Sequence, residues 1–221
     1  MATEGGPNII TDGLVFYVDA ANPKSYPGTG TVWYDLSSNG NNATLVNGPI
    51  VSNGKVIYDG INDYSSASFT GLEKNGSRNF WFNLKELTLT PGIMFGAYNN
   101  FALYTNNNNG IDQLFQFIYY NKSTTGSSAA GNFSINNIVV DRWYNTVVTW
   151  DEFGTAKHYL DGVLIHNQTV SDFSTWKTNI SMRIGGYVAP MEGSIVQMYN
   201  KPLSAEEVLQ NYNATKARFG L

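Results

Sequence analysis

Short runs of β-branched and aromatic residues recur along the chain, separated by Gly, Asn and Asp. Six of them read as strands: Leu14 to Val18, Lys55 to Tyr58, Asn79 to Phe82, Leu114 to Tyr119, Tyr144 to Trp150 and Ser181 to Ile184. Asn-Gly pairs begin at residues 39, 47, 53, 75 and 109 and Asp-Gly pairs at 12, 59 and 161. Such pairs supply the positive φ of tight turns. Many short strands punctuated in this way predict an all-β sandwich or barrel.

The segment Lys157 to His166 predicts a hairpin, with Asp161-Gly162 as a two-residue turn that pairs Leu160 with Val163. Strict alternation then places His158, Leu160, Val163 and Ile165 on one face and Lys157, Tyr159, Leu164 and His166 on the other. On that register the two histidines cannot share a metal. One helix is expected, at about 204–218. Ser204-x-x-Glu207 is a capping box, followed by apolar residues at helical spacing until Gly220. Its Val208/Leu209/Tyr212 side should pack on the sandwich. Asn106 to Asn109 and Asn121 to Asn137 are poor in apolar residues and read as exposed loops. With no linker and no internal repeat, the reading is a short arm at 1–8 and one domain over 9–221.

Composition narrows the function classes. Charged residues make up 14% of the chain and Asn alone accounts for 27 positions, so the polar surface is amide and hydroxyl more than ionic. A net charge of −4 with scattered Lys and Arg argues against nucleic acid as a partner. The chain has no cysteine, which excludes disulfides, thiolate nucleophiles and Cys-ligated metal centres. No apolar run is long enough to span a bilayer, so membrane insertion is not expected, and residues 1–7 lack the features of a signal peptide.

Several motifs, taken in order, resemble one family. They are Asp12-Gly13-Leu14-Val15-Phe16-Tyr17-Val18-Asp19-Ala20-Ala21-Asn22-Pro23, Trp33-Tyr34-Asp35-Leu36-Ser37-Ser38-Asn39-Gly40-Asn41-Asn42, Tyr58-Asp59-Gly60-Ile61-Asn62-Asp63-Tyr64, the Tyr-Leu-Asp-Gly-Val-Leu hairpin, and the stretch from Gly193-Ser194-Ile195 through Pro202-Leu203-Ser204-Ala205-Glu206-Glu207. The chain is similar to the concanavalin A-like, laminin G-like jelly rolls found in tailed-phage virion proteins and microbial surface proteins. The resemblance implies two antiparallel sheets of about a dozen strands. It does not imply one function, because the fold hosts lectins, adhesion modules, glycoside hydrolases and virion proteins.

Retaining glycoside hydrolases need two carboxylates on one strand face about 5 Å apart. None of the seven glutamates stands in a Glu-x-Asp-x-Glu alternation, and Asp151-Glu152 falls in an expected turn. Only His158 and His166 could serve as a base, so no enzyme is expected. Asp35, Ser37, Asn39 and Asn41 alternate side-chain oxygens around a glycine, as a calcium loop does. The same residues would equally make Asx and Ser turns, so calcium is a possible but not a required cofactor. For glycan binding, Trp33 and Trp176 lie beside turn-rich segments and are the candidate stacking platforms, although Trp33 could instead cover the sandwich edge.

The expectation is therefore a non-enzymatic structural protein on a phage virion surface, a capsid decoration or accessory protein made in the host cytoplasm. It would form homo-oligomers and contact the major capsid or other virion proteins through the arm, the loops and a C-terminal docking segment of Arg218, Phe219 and Leu221. The alternative is a carbohydrate-binding adhesion module that contacts cell-surface glycans.

Overall fold

The structure is a computed structural model and describes residues 7–86, 92–97, 101–106, 114–123, 126–135, 138–169, 178–186 and 190–221. Sixteen strands are described: β1 Leu14–Asp19, β2 Val32–Trp33, β3 Ala43–Val46, β4 Ile50–Ser52, β5 Lys55–Tyr58, β6 Tyr64–Phe69, β7 Gly76–Leu84, β8 Gly92–Ala97, β9 Phe101–Asn106, β10 Leu114–Ser123, β11 Gly126–Ile135, β12 Trp143–Trp150, β13 Thr155–Leu160, β14 Val163–Thr169, β15 Ile180–Gly185 and β16 Met191–Tyr199. They are followed by helix α1, Ala205–Thr215, and a 3₁₀ turn, Lys216–Phe219. All six strands expected from the sequence are present.

The strands form two eight-stranded sheets, and the expected sandwich is the one observed. The first sheet runs β14-β13-β12-β7-β16-β5-β4. The far flank of β16 is shared, with β5 pairing at Met191 to Gly193 and β1 at Ile195 to Tyr199. The second sheet runs β11-β10-β9-β8-β15-β6-β3-β2, and every pairing is antiparallel. Alternation sends Phe80, Phe82 and Leu84 of β7 and Val148 and Trp150 of β12 into a core shared with Phe16, Phe69, Phe95 and Phe101. The rings meet tilted or edge-on, for example Phe16 and Phe69 at 5.2 Å and Phe95 and Phe101 at 5.0 Å. One cation lies inside this core. Arg78 is buried, donates to the carbonyls of Ser77 and Tyr199, and faces the rings of Phe101 and Trp150.

Two turns show why the Asn-Gly and Asp-Gly signals were informative. Asn53-Gly54 joins β4 to β5 and Asp161-Gly162 joins β13 to β14, and all four residues have φ between 50° and 79°. Two consecutive positive φ values are what a two-residue I′ hairpin requires.

Three expectations are corrected. In the hairpin, His158 pairs with His166 while Tyr159 pairs with Leu164, so one extra residue, Ile165, is accommodated as a bulge. The bulge resets the alternation. Both imidazoles therefore lie on the same face, with ring centroids 6.3 Å apart. Second, the Asn121 to Asn137 stretch is mostly paired strand: β10 and β11 form a ladder from Phe115↔Ile135 to Ser123↔Gly126. Antiparallel backbone bonding satisfies the main chain of a Ser-, Thr- and Ala-rich segment without a large apolar side-chain contribution. Of the other expected loop, Asn106 closes β9 and 107–109 lie outside the described residues. Third, α1 buries Val208 and Asn211, and Leu209 is 46% exposed. A polar residue takes the inward position because it has partners there. Asn211 accepts from the Ile10 amide and donates to the Tyr199 hydroxyl. The capping box itself is present, with Ser204 and Glu207 exchanging side-chain-to-backbone bonds.

Gly185 ends β15 at φ 80°, and a Cβ there would stand 2.6 Å from Cδ1 of the buried Tyr58 ring. Left-handed strain and overpacking add, so Gly185→Ala is expected to destabilise the protein by about 2–4 kcal/mol. Urea denaturation of the variant beside the parent measures this.

Candidate functional site

The outer face of the first sheet is the most chemically furnished surface of the described structure. The residues opposite to the core-facing set are Ser77, Asn79, Trp81 and Asn83 on β7, Trp143, Asn145, Val147 and Thr149 on β12, and Glu192, Gln197 and Tyr199 on β16. They fall into three zones. At one end Val147, Tyr159 and Tyr199 meet Leu203 and Val208 in a small apolar cluster that seats α1. In the middle, buried amides form a chain across three strands: Asn145 donates to Asn79 at 2.5 Å, and Asn79 donates to Gln197 at 2.7 Å. Beyond them Trp81 lies under Tyr212 and Phe219, with ring centroids 5.7 and 4.1 Å away, and Trp143 flanks Phe219 at 4.7 Å.

The far end of this face is ionic. Glu192 is buried between Lys55 at 2.5 Å and Lys85 at 3.3 Å, and Lys85 also reaches Asp141. Burial pulls the Lys85 ammonium down, but bonds to Asp141 and Glu192 outweigh it and hold the group above its ordinary value. On the neighbouring strand Asp19 receives Arg218, whose Nη1 lies 2.9 Å from both carboxylate oxygens, while Nη2 donates to Ser194. Tyr17 stands beside Asp19, and burial together with that negative charge raises its hydroxyl to about 12.

The residues singled out in the sequence are placed as follows. Trp33 is corrected as a stacking platform: the side chain is 0% exposed, because the β2–β3 pairing carries it into the main core. Trp176 lies outside the described residues. The Asp35 loop folds around its own carboxylate, which accepts from the amides of Tyr17, Ser37 and Asn41 and from the Ser37 hydroxyl. Asn39 and Asn41 reach back to the carbonyls of Leu14 and Val15. These are the Asx and Ser turns, and a cation would have to displace their N–H donors. Among the described residues no three His, Asp or Glu side chains gather as a metal-binding group. Asp59 does not join the loop, since its carboxylate binds the amides of Ile61, Asn62 and Asp63 and is held below its usual range chiefly by the Ile61 bond. Of the expected docking residues, Arg218 and Phe219 dock on the chain's own outer sheet face, and Leu221 is exposed.

The outer-face cluster was not identified from the sequence, although a signal existed. Asn79-Phe80-Trp81-Phe82-Asn83-Leu84 alternates two kinds of side chain, an apolar set and an amide-and-indole set. The second set marks a face that meets something other than the core.

The match to known proteins agrees with this geometry. The family model described as the Concanavalin A-like lectin/glucanases superfamily matches residues 58–209. No curated protein matches the chain by sequence. Among solved structures, the receptor binding domain of botulinum neurotoxin C/D mosaic serotype superposes with a TM-score of 0.74 at 13% identity, covering 92% of this chain and 51% of that one. Trypanosoma rangeli sialidase in complex with sialic acid gives a TM-score of 0.70 at 16% identity, covering 99% of this chain and 35% of that one. The chain thus spans about half of the neurotoxin structure and about a third of the sialidase. At these identities the likeness is one of fold.

Two measurements probe the placements. His158 is fully buried and its Nε2 lies 2.7 Å from the Thr146 hydroxyl, and burial, with a smaller push from His166, lowers its pKa to about 3. The unfolded chain takes up this proton near pH 6.5 and the folded chain only near 3, so the contribution is complete above about 6.5 and is lost as pH falls toward 3. Unfolding free energies from urea denaturation should fall with acidification by up to about 1.4 kcal/mol per pH unit from this group, and His158→Gln should flatten the slope. Trp33→Ala should cost roughly 3–5 kcal/mol of folding stability, as a core truncation does, measurable by thermal denaturation.

Proposed function

Because the chain belongs to the Concanavalin A-like lectin/glucanases superfamily, we propose that it is a non-enzymatic recognition domain of lectin type, displayed on the surface of a phage particle. The observation that carries the non-enzymatic part is the state of the strand carboxylates. Within the described strands the acidic residues are Asp19 and Glu192. Each is engaged by cations of the same chain, Asp19 by Arg218 and Glu192 by Lys55 and Lys85. A glycosidic acid and nucleophile must be two carboxylates aimed at one bond. Here each strand carboxylate is instead an anchor for a lysine or an arginine.

The recognition part draws on the fold and on surface chemistry. Fold neighbours include a receptor binding domain and an enzyme holding sialic acid, so the architecture is compatible with glycan contact. An amide-rich chain supplies the donors and acceptors that hydroxyl groups need. The particle setting rests on the resemblance of the opening and closing motifs to tailed-phage jelly rolls. In that setting the domain would contact capsid or other virion proteins, pair with further copies of itself, and present its free surface to cell-surface glycans. Calcium at Asp35 would be an accessory to that role and not a requirement.

The test has two arms. Incubated with an oligosaccharide array and then with the retained sugars in solution, the protein is expected to hold glycans and release no new reducing ends. Turnover of any retained sugar would reverse the non-enzymatic reading. In purified particles, an antibody to this chain should label the outer surface, and its absence from them would remove the virion setting while leaving the lectin reading intact.

A further inference from the structure

The segment over the outer face is attached in two different ways. The first turns of α1 rest on apolar side chains, Val147, Tyr159, Tyr199 and Leu203 around Val208. From Tyr212 to Phe219 the same segment rests on indoles, Trp81 and Trp143, whose neighbours on the same sheet face are amides. Tyr212 and Phe219 lie nearly parallel to Trp81, at interplanar angles of 7° and 15°. Four buried polar atoms of this layer find no hydrogen-bond partner among the described residues: Trp81 Nε1, Asn83 Oδ1, Asn145 Oδ1 and Gln197 Nε2. The Tyr159 hydroxyl in the helix seat is likewise without a partner, but four such atoms on this part of the face exceed what seating a helix requires.

Taking the recognition reading as its basis, we propose that this face is a binding site for a neutral, hydroxyl-rich sugar ring, and that Phe219 is a displaceable plug occupying it, while Tyr212 of α1 stays in place as a wall of the site. An indole face flanked by uncharged groups is suited to a sugar, whose C–H face stacks on an aromatic ring while its hydroxyls both donate and accept. Asn83, Asn145 and Gln197 offer both functions and Trp81 Nε1 donates, and none of them carries charge. That suits a neutral ligand, since the neighbouring Glu192 is already held by Lys55 and Lys85. A planar aromatic plug imitates the stacking but cannot meet the amides, which is why the unmet atoms accompany it.

The plug also has a joint and a tether. Helical geometry breaks at Thr215, whose φ is −126°, and the 3₁₀ turn from Lys216 carries Phe219 onto Trp81. The tether is the pair of Arg218 with Asp19, in which the arginine side chain is 35% exposed and the carboxylate 9%, so that only the cation side is open to solvent. With the cation side open to water, the pair is weakened by salt. Release would swing the 3₁₀ turn while α1 stays on its apolar seat.

The experiment compares the parent with Arg218→Ala/Phe219→Ala by calorimetric titration with neutral hexasaccharides of glucose, mannose and N-acetylglucosamine, and by acrylamide quenching of tryptophan emission. The expected result is stronger quenching and at least tenfold tighter binding of one hexasaccharide by the double variant, abolished when Trp81→Ala is added. Arg218→Gln keeps the stack and loosens only the tether, so it should give an intermediate gain and guards against misfolding of the double variant. Stronger quenching without hexasaccharide binding would overturn the site. Equal binding by parent and variants, indifferent to Trp81→Ala, would overturn the plug while leaving the recognition reading standing. No binding by any form, together with an empty glycan array, would remove both.

Discussion

Strands β7 and β16 are buried over their whole length on both faces, and this requirement organises the molecule. The inner face meets it with phenylalanine, methionine and valine. The outer face cannot, because Asn79, Asn83, Glu192 and Gln197 stand there. Buried polar groups must be paired or they cost stability. The chain answers with the Asn145–Asn79–Gln197 chain of bonds, with lysines around Glu192, and with its own C-terminal segment as a third layer. The sheet and its cover are thus one cooperative design in which the polar interior dictates what can lie over it.

That layer also bears on the placement of charge. Few residues are ionic, and several of those that are hold the C-terminal region in place. Arg218 joins it to β1 through Asp19 and to β16 through Ser194, and Lys201 joins Asp12 to Glu207. Membership of the lectin and glucanase superfamily fixes the sandwich but not how its faces are used. In this chain the central strands of one face are covered by internal contacts, which directs attention to the rims, the opposite sheet and whatever can compete with the cover.

Local signals were legible where one residue type has one conformational role. Asn53-Gly54 and Asp161-Gly162 announced their turns because only such pairs tolerate two positive φ values, and Ser204 with Glu207 announced the helix start. Signals failed where tertiary partners decided. The bulge at Ile165 is invisible to alternation, so the two histidines were assigned to opposite faces. Asn211 points inward because Ile10 and Tyr199 await it, a fact no helical period contains. The Asn121–Asn137 part of the β10–β11 ladder was hidden by composition, since backbone pairing gives no signal in a Ser-, Ala- and Asn-rich stretch. Trp33 illustrates the converse: a large aromatic beside a turn-rich stretch faces inward when its short strand pairs in the right register.

The two ends of the described chain meet at α1. The Ile10 amide donates to Asn211, the Ile10 carbonyl accepts from Tyr199, and Gln210 donates to the carbonyl of Asn8. A pulling force applied through both flanks would be borne first by these bonds and by the contacts of Arg218 with Asp19 and Ser194 and of Phe219 with Trp81. Tension on the chain would peel the helix and its aromatic cover from the outer face, and the sixteen strands would stay zipped. The domain is built so that mechanical load is felt first at its chemically richest surface.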